Sequence, residues 1–319
     1  MSAEDTTRVA IACQGGGSHT AFTAGVLRAV LRERPERYEI GALSGTSGGA
    51  ICALLAWDGL RRGRETEAYE DLARFWEAIA AHRVWDRLAN DWALSVNRLL
   101  GELGTFGVSP YYNPMSDRAQ DRLRETVERF VDLPVTEVDP DDPDLFVGAT
   151  DVQEGEFTVF KNGAGGVDAV LASAAVPTLF PAVTVDGRRY WDGLFSQNPP
   201  IRHFTTEVDA GEKPDVIWIV RINPRRTWQV PTSMGEILDR RNELAGNLSL
   251  EQEIDTIEAI NDLVDDDVIT DDRYKHIDVV EVELDRPLDV HTKLDRDPAF
   301  IADLVARGER RAHDLWASD

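Results

Sequence analysis

The sequence predicts an α/β fold, a three-layer αβα arrangement with a mostly parallel central sheet and helical insertions. Short apolar runs alternate along the chain with segments whose apolar residues recur at helical spacing. Val9–Cys13 leads through three glycines into a helical pattern, and Ile40–Leu43 leads through a second glycine-rich turn into another. Repeated strand–turn–helix units are typical of parallel sheets covered by helices.

The first half of the chain is predicted to be mostly helical after these two strands. Apolar residues at spacings of three and four predict the helices Ala21–Leu31, Ser47–Leu60 and Glu65–Ala81. A tryptophan–leucine stripe from Trp85 to Leu103 continues this pattern. It is expected to pack in the core; a lid or an acyl channel is the alternative.

The second half is predicted to return to strands and to end on helices. The elements expected here are strands Leu145–Ala149 and Phe157–Lys161, a helix from Val167 that stops near Pro177, a hairpin turning at Asp186-Gly187, strand Val216–Ile222, helical segments over Met234–Val264, strand Ile277–Leu284 and a closing helix Pro298–Trp316. No internal repeat and no linker interrupts the pattern. We therefore expect one domain over 1–319, with its core motifs in 9–201 and the strands and helices of 214–319 in the same domain.

The charge of the chain disfavours nucleic acid as a partner. Asp and Glu number 58 against 34 Lys and Arg, a formal net charge of -24, whereas phosphate binding needs a basic footprint. Only four of the basic residues are lysine. Such a composition is typical of halophilic cytoplasmic proteins, since roughly molar salt screens self-repulsion within about 3 Å; an acidic protein from a GC-rich genome is the alternative.

The cysteines and the N-terminus favour a cytoplasmic protein. Cys13 and Cys52 each lie in an apolar segment and are expected to be buried thiols rather than a disulfide. The polar, acidic start of the chain lacks a signal-peptide pattern, and no stretch is long enough to span a membrane.

A nucleophile-elbow pattern stands between the second predicted strand and its helix. In Gly45-x-Ser47-x-Gly49 the glycines permit a sharp turn and leave room around the serine. The following helix would point its N-terminus at Ser47, which helps to stabilise a developing negative charge.

The glycine triplet Gly15-Gly16-Gly17 can serve as a cradle of backbone N–H groups for an anion. A dinucleotide site would need glycine where Thr20 stands, and a P-loop would need a lysine that is absent. Next to a nucleophilic serine, the triplet is better interpreted as an oxyanion hole.

Asp192-Gly193 supplies the candidate base. It follows the returning strand of the predicted hairpin and opens a polar, proline-rich loop, a better place for a functional carboxylate than the turn at Asp186-Gly187. A histidine base remains open, since several histidines follow Ser47: His82, His203, His276, His291 and His313.

These motifs, together with "ASAAVPTLFP", resemble the patatin-like phospholipase family over about Val9 to Ile201. The resemblance implies a Ser–Asp dyad in which Ser47 is the nucleophile and Asp192 its base. It also implies that the amides of Gly15, Gly16 and Gly17, chiefly the last two, form the oxyanion hole.

The chain departs from the family pattern on either side of the triplet. Gln14 stands where the family often has Asp or Ser, and His19 stands where it commonly has arginine. His19 is expected either to keep a positive or hydrogen-bonding role near the loop or to pack at the helix start.

The resemblance implies a hydrolase of lipid-like esters that needs no cofactor and no metal. The acidic clusters "DPDDPD" and "DDDVITDD" lack the calcium-loop spacing and are expected to be solvated. Two alternatives stay open: a depolymerase of storage polyester with the same dyad, and a catalytically vestigial protein that binds lipid or granules. Each would allow peripheral association with a lipid or granule surface.

Overall fold

The computed structural model describes residues 6–81, 109–135, 137–206, 210–227, 230–286, 288 and 290–317. The stripe predicted from Trp85 to Leu103 lies outside these residues. None of the helices in the described ranges is long and apolar enough to cross a bilayer.

The strands of the described residues are β1 (Thr7–Cys13), β2 (Tyr38–Thr46), β3 (Asp144–Asp151), β4 (Glu156–Lys161), β5 (Val183–Val185), β6 (Arg188–Asp192), β7 (Val216–Arg221) and β8 (Asp278–Glu283). The helices are α1 (Ala21–Glu33), α2 (Gly48–Arg61), α3 (Glu65–Ile79), α4 (Pro114–Glu128), α5 (Gly166–Ser173), α6 (His203–Thr206), α7 (Met234–Asp265) and α8 (Pro298–Arg311).

The strands form one mixed sheet in the order β5-β6-β3-β2-β1-β7-β8, with β4 also paired to β3. The pairs that join β3, β2, β1, β7 and β8 are parallel. The pairs made by β4, β5 and β6 are antiparallel. The prediction of a mostly parallel sheet is therefore confirmed, and the pairing of β7 with β1 supports the expectation that 214–319 belongs to the same domain.

Two strands share one edge of β3. β2 pairs with it from Asp144 to Gly148, and β6 pairs from Ala149 onward, while β4 occupies the other edge from Phe146 to Asp151. Because β2 is parallel and β6 antiparallel to β3, their carboxyl ends meet head to head. Thr46 therefore lies opposite Gly148 and Asp192 opposite Ala149.

Helices cover both faces of the sheet. Alternate residues of β1 divide between two cores, as strand geometry requires. Val9, Ile11 and Cys13 pack with α1, α2, α3 and α8, whereas Ala10 and Ala12 pack with buried side chains of α7. The three-layer prediction is confirmed, and both cysteines are buried and free, as expected.

Some helices depart from the prediction by more than a residue or two at an end, and one was not predicted at all. α5 ends at Ser173 rather than near Pro177, because proline disfavours helical backbone before it and the Ala175 carbonyl oxygen instead accepts the Asp192 amide at 3.0 Å. The closing helix ends at Arg311 and continues as a 3₁₀ turn. α4 was not predicted because few of its residues are apolar; its signal is the Asn113 cap before a proline.

A close helix crossing joins the two ends of the chain. A methyl group added at Gly25 of α1 would lie 2.0 Å from the Val305 carbonyl oxygen of α8, and one at Gly308 of α8 would lie 2.0 Å from that of Phe22. Only glycine permits this approach of the two backbones.

We expect Gly25→Ala to lower the free energy of unfolding by about 1–3 kcal/mol, since overpacking outweighs the roughly 1 kcal/mol that alanine adds to helix propensity. Urea denaturation measures the change. The control is Gly211→Ala, where the methyl group meets no described atom within 4 Å; equal stability of the two variants would contradict the close crossing.

Candidate active site

Ser47 occupies the sharp turn between β2 and α2. Its backbone has φ 57° and ψ −130°, a left-handed φ that residues other than glycine rarely adopt. Its carbonyl oxygen accepts the amides of Ala50 and Ile51 at 3.0 and 3.2 Å, which begins the helix. The turn thereby holds the Ser47 side chain at the N-terminus of α2, where the helix dipole favours negative charge.

Glycines surround this turn because no side chain fits. A Cβ at Gly15 would lie 2.9 Å from the Ser47 Cβ, so the glycine triplet lies directly against the turn. Gly45 and Gly49 face backbone atoms within 2.6 Å of the Cβ each would carry. The elbow pattern found in the sequence therefore forms an elbow in the structure.

Asp192 ends β6 and has no exposed surface. Its Oδ1 accepts the Leu194 amide at 2.9 Å. Burial raises the pKa of the Asp192 carboxyl to about 7, against the smaller lowering effects of the Leu194 amide and the Ser47 hydroxyl. A carboxylate with this pKa, beside a serine hydroxyl, is suited to accept a proton near neutral pH.

Gly193, the residue after Asp192, lies against the backbone of β3. A Cβ at Gly193 would lie 2.7 Å from the Gly148 carbonyl oxygen of β3. The other Asp-Gly pair, Asp186-Gly187, has φ of 49° and 82° and forms the hairpin turn between β5 and β6, as predicted.

The three glycines of the triplet are not equivalent. The Gly15 amide donates to the Asn198 Oδ1 at 2.6 Å, which makes it a weaker candidate for an oxyanion hole than its two neighbours. The amides of Gly16 and Gly17 make no hydrogen bond to any described residue, and both glycines are at least partly exposed. These two N–H groups remain as candidate donors to an oxyanion.

A buried network of side-chain amides braces the glycine loop. The Gln14 Oε1 accepts the amides of Ile222 and Asn223 at 2.9 and 2.8 Å, and its Nε2 donates to the Asn247 Oδ1 at 2.8 Å. The Asn223 Nδ2 donates to the Gly15 carbonyl oxygen at 2.9 Å. Loop, β7 and α7 are thus joined by hydrogen bonds that water does not reach.

Sequence reasoning missed this network. Its one local signal is Gln14, a polar residue at the end of an apolar strand and a departure from the family pattern. Asn198, Asn223 and Asn247 carry no signal of their own, since asparagine in a predicted loop or on a helix is usually solvated.

His19 is neutral rather than positive. Burial, followed by the charges of Lys293 and Arg286, lowers the pKa of its imidazole to about 3. Its Nε2 lies 2.8 Å from the Thr292 Oγ1, and its ring meets the Phe300 ring edge-on with centroids 6.2 Å apart. The lowered pKa disfavours a positive role, and the contacts are those of hydrogen bonding and packing at the helix start.

Among the described residues, no imidazole contributes to the shifted pKa of the Asp192 carboxyl. His203 stacks on a buried phenylalanine with ring centroids 5.7 Å apart, and His276 and His313 pair with surface carboxylates. The side chains of His82 and His291 lie outside the described part of the chain. These positions favour the carboxylate over a histidine as the candidate base.

Metal-binding clusters are absent from the part of the chain that the structure describes: no three His, Cys, Asp or Glu side chains there are arranged to hold an ion. The candidate site consists of the side chains of Ser47 and Asp192 and the backbone amides of Gly16 and Gly17.

Comparison with known proteins places the chain in a family. A model of the patatin-like phospholipases matches residues 11–205, so the chain belongs to this family, whose members are lipid acyl hydrolases. No curated protein matches the chain.

Several solved structures are similar to this chain at low identity. VipD from Legionella pneumophila is 14% identical, with a TM-score of 0.42, over 98% of this chain and 67% of its own. The type III effector ExoU is 14% identical, with a TM-score of 0.32, over 98% and 53%. ExoU in its complex with SpcU from Pseudomonas aeruginosa is 15% identical, with a TM-score of 0.35, over 98% and 52%. The chain thus spans little more than half the length of ExoU.

The raised pKa of Asp192 predicts a pH-dependent cost in stability. Between the ordinary carboxyl pKa of about 4 and its value of about 7 in the folded protein, the native state keeps a proton that the unfolded chain has released. Stability therefore falls as pH rises through this window. We expect Asp192→Asn to raise the free energy of unfolding at pH 8 by about 1–4 kcal/mol, and the gain to vanish near pH 4.

Urea denaturation of both proteins from pH 4 to 8 measures this difference. Asp151→Asn is the matched control, because the Glu154 amide, followed by other partners, lowers the pKa of Asp151. Asp151→Asn should lose stability at pH 8 and lose less as pH falls. A gain for Asp192→Asn that stays constant with pH would contradict the raised pKa.

Proposed function

We propose that this protein is a serine hydrolase of lipid acyl esters, with Ser47 as nucleophile and Asp192 as its base. The observation that carries the proposal is the meeting of three features at the carboxyl end of the sheet. These are a serine on a strained elbow, a buried carboxyl with a pKa of about 7 beside it, and the amides of Gly16 and Gly17, which have no acceptor among the described residues.

In the first half of the proposed reaction, Asp192 accepts the proton of the Ser47 hydroxyl as Oγ attacks the ester carbonyl carbon. The carbonyl oxygen becomes an oxyanion. When the tetrahedral intermediate collapses, the bond to the alcohol breaks and Asp192 returns its proton to the leaving oxygen. The product is an acyl-serine.

In the second half, Asp192 takes a proton from water, which attacks the acyl-serine carbonyl carbon. Collapse of the second intermediate breaks the bond to Ser47, and the proton returns to Oγ. The free acid leaves and the enzyme is restored. One carboxyl thus acts as base and acid in turn, which a pKa near neutrality permits.

The Gly16 and Gly17 amides would receive the oxyanion in both halves. Unpaired backbone donors need no reorganisation when negative charge develops, which makes such donors effective. The N-terminus of α2 adds a partial positive charge on the same side of Ser47.

Family membership supports a lipid ester as the substrate, and we propose the acyl ester of a phospholipid or a neutral lipid. The net charge of -24 opposes docking on anionic bilayers at low salt, because a negative surface potential repels an acidic protein. We therefore expect zwitterionic or neutral lipid surfaces to be preferred when salt is low.

Ser47 should be the residue modified by a fluorophosphonate probe. We expect the wild type to be labelled and to cleave p-nitrophenyl esters, and Ser47→Ala to do neither while keeping its thermal midpoint. Ser44→Ala is the control, since this buried serine three positions earlier has no hydrogen-bond partner among the described residues. A wild type that is unlabelled at every salt concentration tested would favour a vestigial binding protein.

The pH dependence of kcat/KM should report the pKa of Asp192 in the free enzyme. We expect kcat/KM to rise with pH and to be half-maximal near pH 7, because only the ionised carboxylate can accept the serine proton. Asp192→Asn should remain folded and lose at least about 100-fold in kcat/KM. Retention of most of the activity by this variant would point to a histidine base instead.

Rates on three substrate forms would separate the substrate classes. These are zwitterionic phospholipid vesicles, triacylglycerol emulsions and amorphous polyester granules. Cleavage of granules alone would replace the lipid substrate by a storage polyester, with the same dyad.

A further inference from the structure

Ser173 touches the candidate nucleophile from α5. It belongs to the "ASAAVPTLFP" stretch that contributes to the family resemblance, but the sequence assigned it no role in the site. It is the last residue of α5 and has no exposed surface. Its Oγ accepts the backbone N–H of Ser47 at 2.9 Å. The two residues are 126 positions apart, so only tertiary packing brings them together.

The Ser47 amide needs an acceptor that the sheet does not provide. The pairing of β2 with β3 ends at Thr46, and the left-handed φ of Ser47 takes the chain out of the sheet. A buried N–H without a partner costs free energy, and a strained backbone persists only where its surroundings hold it. The Ser173 hydroxyl is the group that satisfies this amide.

The segment that carries Ser173 also holds Asp192. Two residues further on, the Ala175 carbonyl oxygen accepts the Asp192 amide at 3.0 Å. The segment is anchored by side chains that pack against the β5–β6 hairpin, among them Leu171, Ala172 and Ala175. A short piece of chain thus bonds the backbone of both members of the proposed dyad.

We propose that Ser173 is a positioning residue, whose hydroxyl holds the elbow so that the Ser47 Oγ stays within reach of the Asp192 carboxylate. The inference rests on the proposed function. The same hydrogen bond separates the amides of the site by role. The N–H of Ser47 donates to Ser173 and is therefore not an oxyanion donor. That role is left to Gly16 and Gly17.

Ser173→Ala tests the inference. A small displacement of a nucleophile lowers the rate of the chemical step steeply. We expect kcat and the rate of fluorophosphonate labelling to fall about 10- to 100-fold, and KM to stay within about twofold because Ser173 touches no substrate. The pH at half-maximal kcat/KM should stay near 7, since Ser173 does not contact the Asp192 carboxyl.

Ser44→Ala is again the matched control: it removes the same hydroxyl from a buried serine near the elbow and should keep the wild-type kcat. Thermal midpoints of all proteins give the folded fraction at the assay temperature. If Ser173→Ala does not accumulate in folded form, Ser173→Cys replaces it, because a thiol fills the site but accepts hydrogen bonds weakly.

The positioning role would be overturned if the folded Ser173 variant kept the wild-type kcat, or if it lost no more activity than folded protein. Either result leaves the proposed function intact, provided that the wild type and Ser47→Ala behave as proposed. An unreactive wild type would instead overturn the proposed function, and this inference with it.

Discussion

The geometry of the candidate site depends on two strands that share one edge of β3. β2 ends opposite Gly148, and β6 arrives from the other direction to end opposite Ala149. The residue after one strand and the last residue of the other are therefore Ser47 and Asp192, held by backbone pairing rather than by long loops. Groups on regular elements are positioned more rigidly than groups on loops, which suits a dyad.

The buried Asp192 carboxyl lowers the stability of the fold at the pH where its ionised form would act as the base. Burial is what raises the pKa of the Asp192 carboxyl to about 7, and the same burial penalises its ionised form. The backbone on either side is nevertheless bonded: the Asp192 amide to Ala175 and the Ser47 amide to Ser173. Strain and charge are thus placed at two residues whose own backbone N–H groups are hydrogen-bonded; strained residues are common at functional sites.

Residues in the C-terminal third of the chain hold the glycine loop by hydrogen bonds and packing, although the family match ends at residue 205. Asn223 follows β7 and Asn247 lies on α7, and both bond the loop directly or through Gln14. Thr292 bonds His19, and a Cβ at Gly17 would lie 2.3 Å from the Lys293 carbonyl oxygen. A family signature therefore locates the candidate reacting groups but not the residues that keep the loop in place.

The sequence by itself determined the α/β class, the elbow at Ser47, the hairpin and the position of Asp192 at its end. Strand and helix periodicity and the chemistry of glycine turns act over a few residues, so a linear pattern contains them. Only the tertiary structure decided that the Gly15 amide is occupied, that His19 is neutral, that Gln14 bonds residues more than 200 positions away and that the Ser173 hydroxyl accepts the Ser47 amide. Burial and hydrogen-bond partnership at these positions arise from segments distant in sequence, and no local pattern records which buried group will meet which.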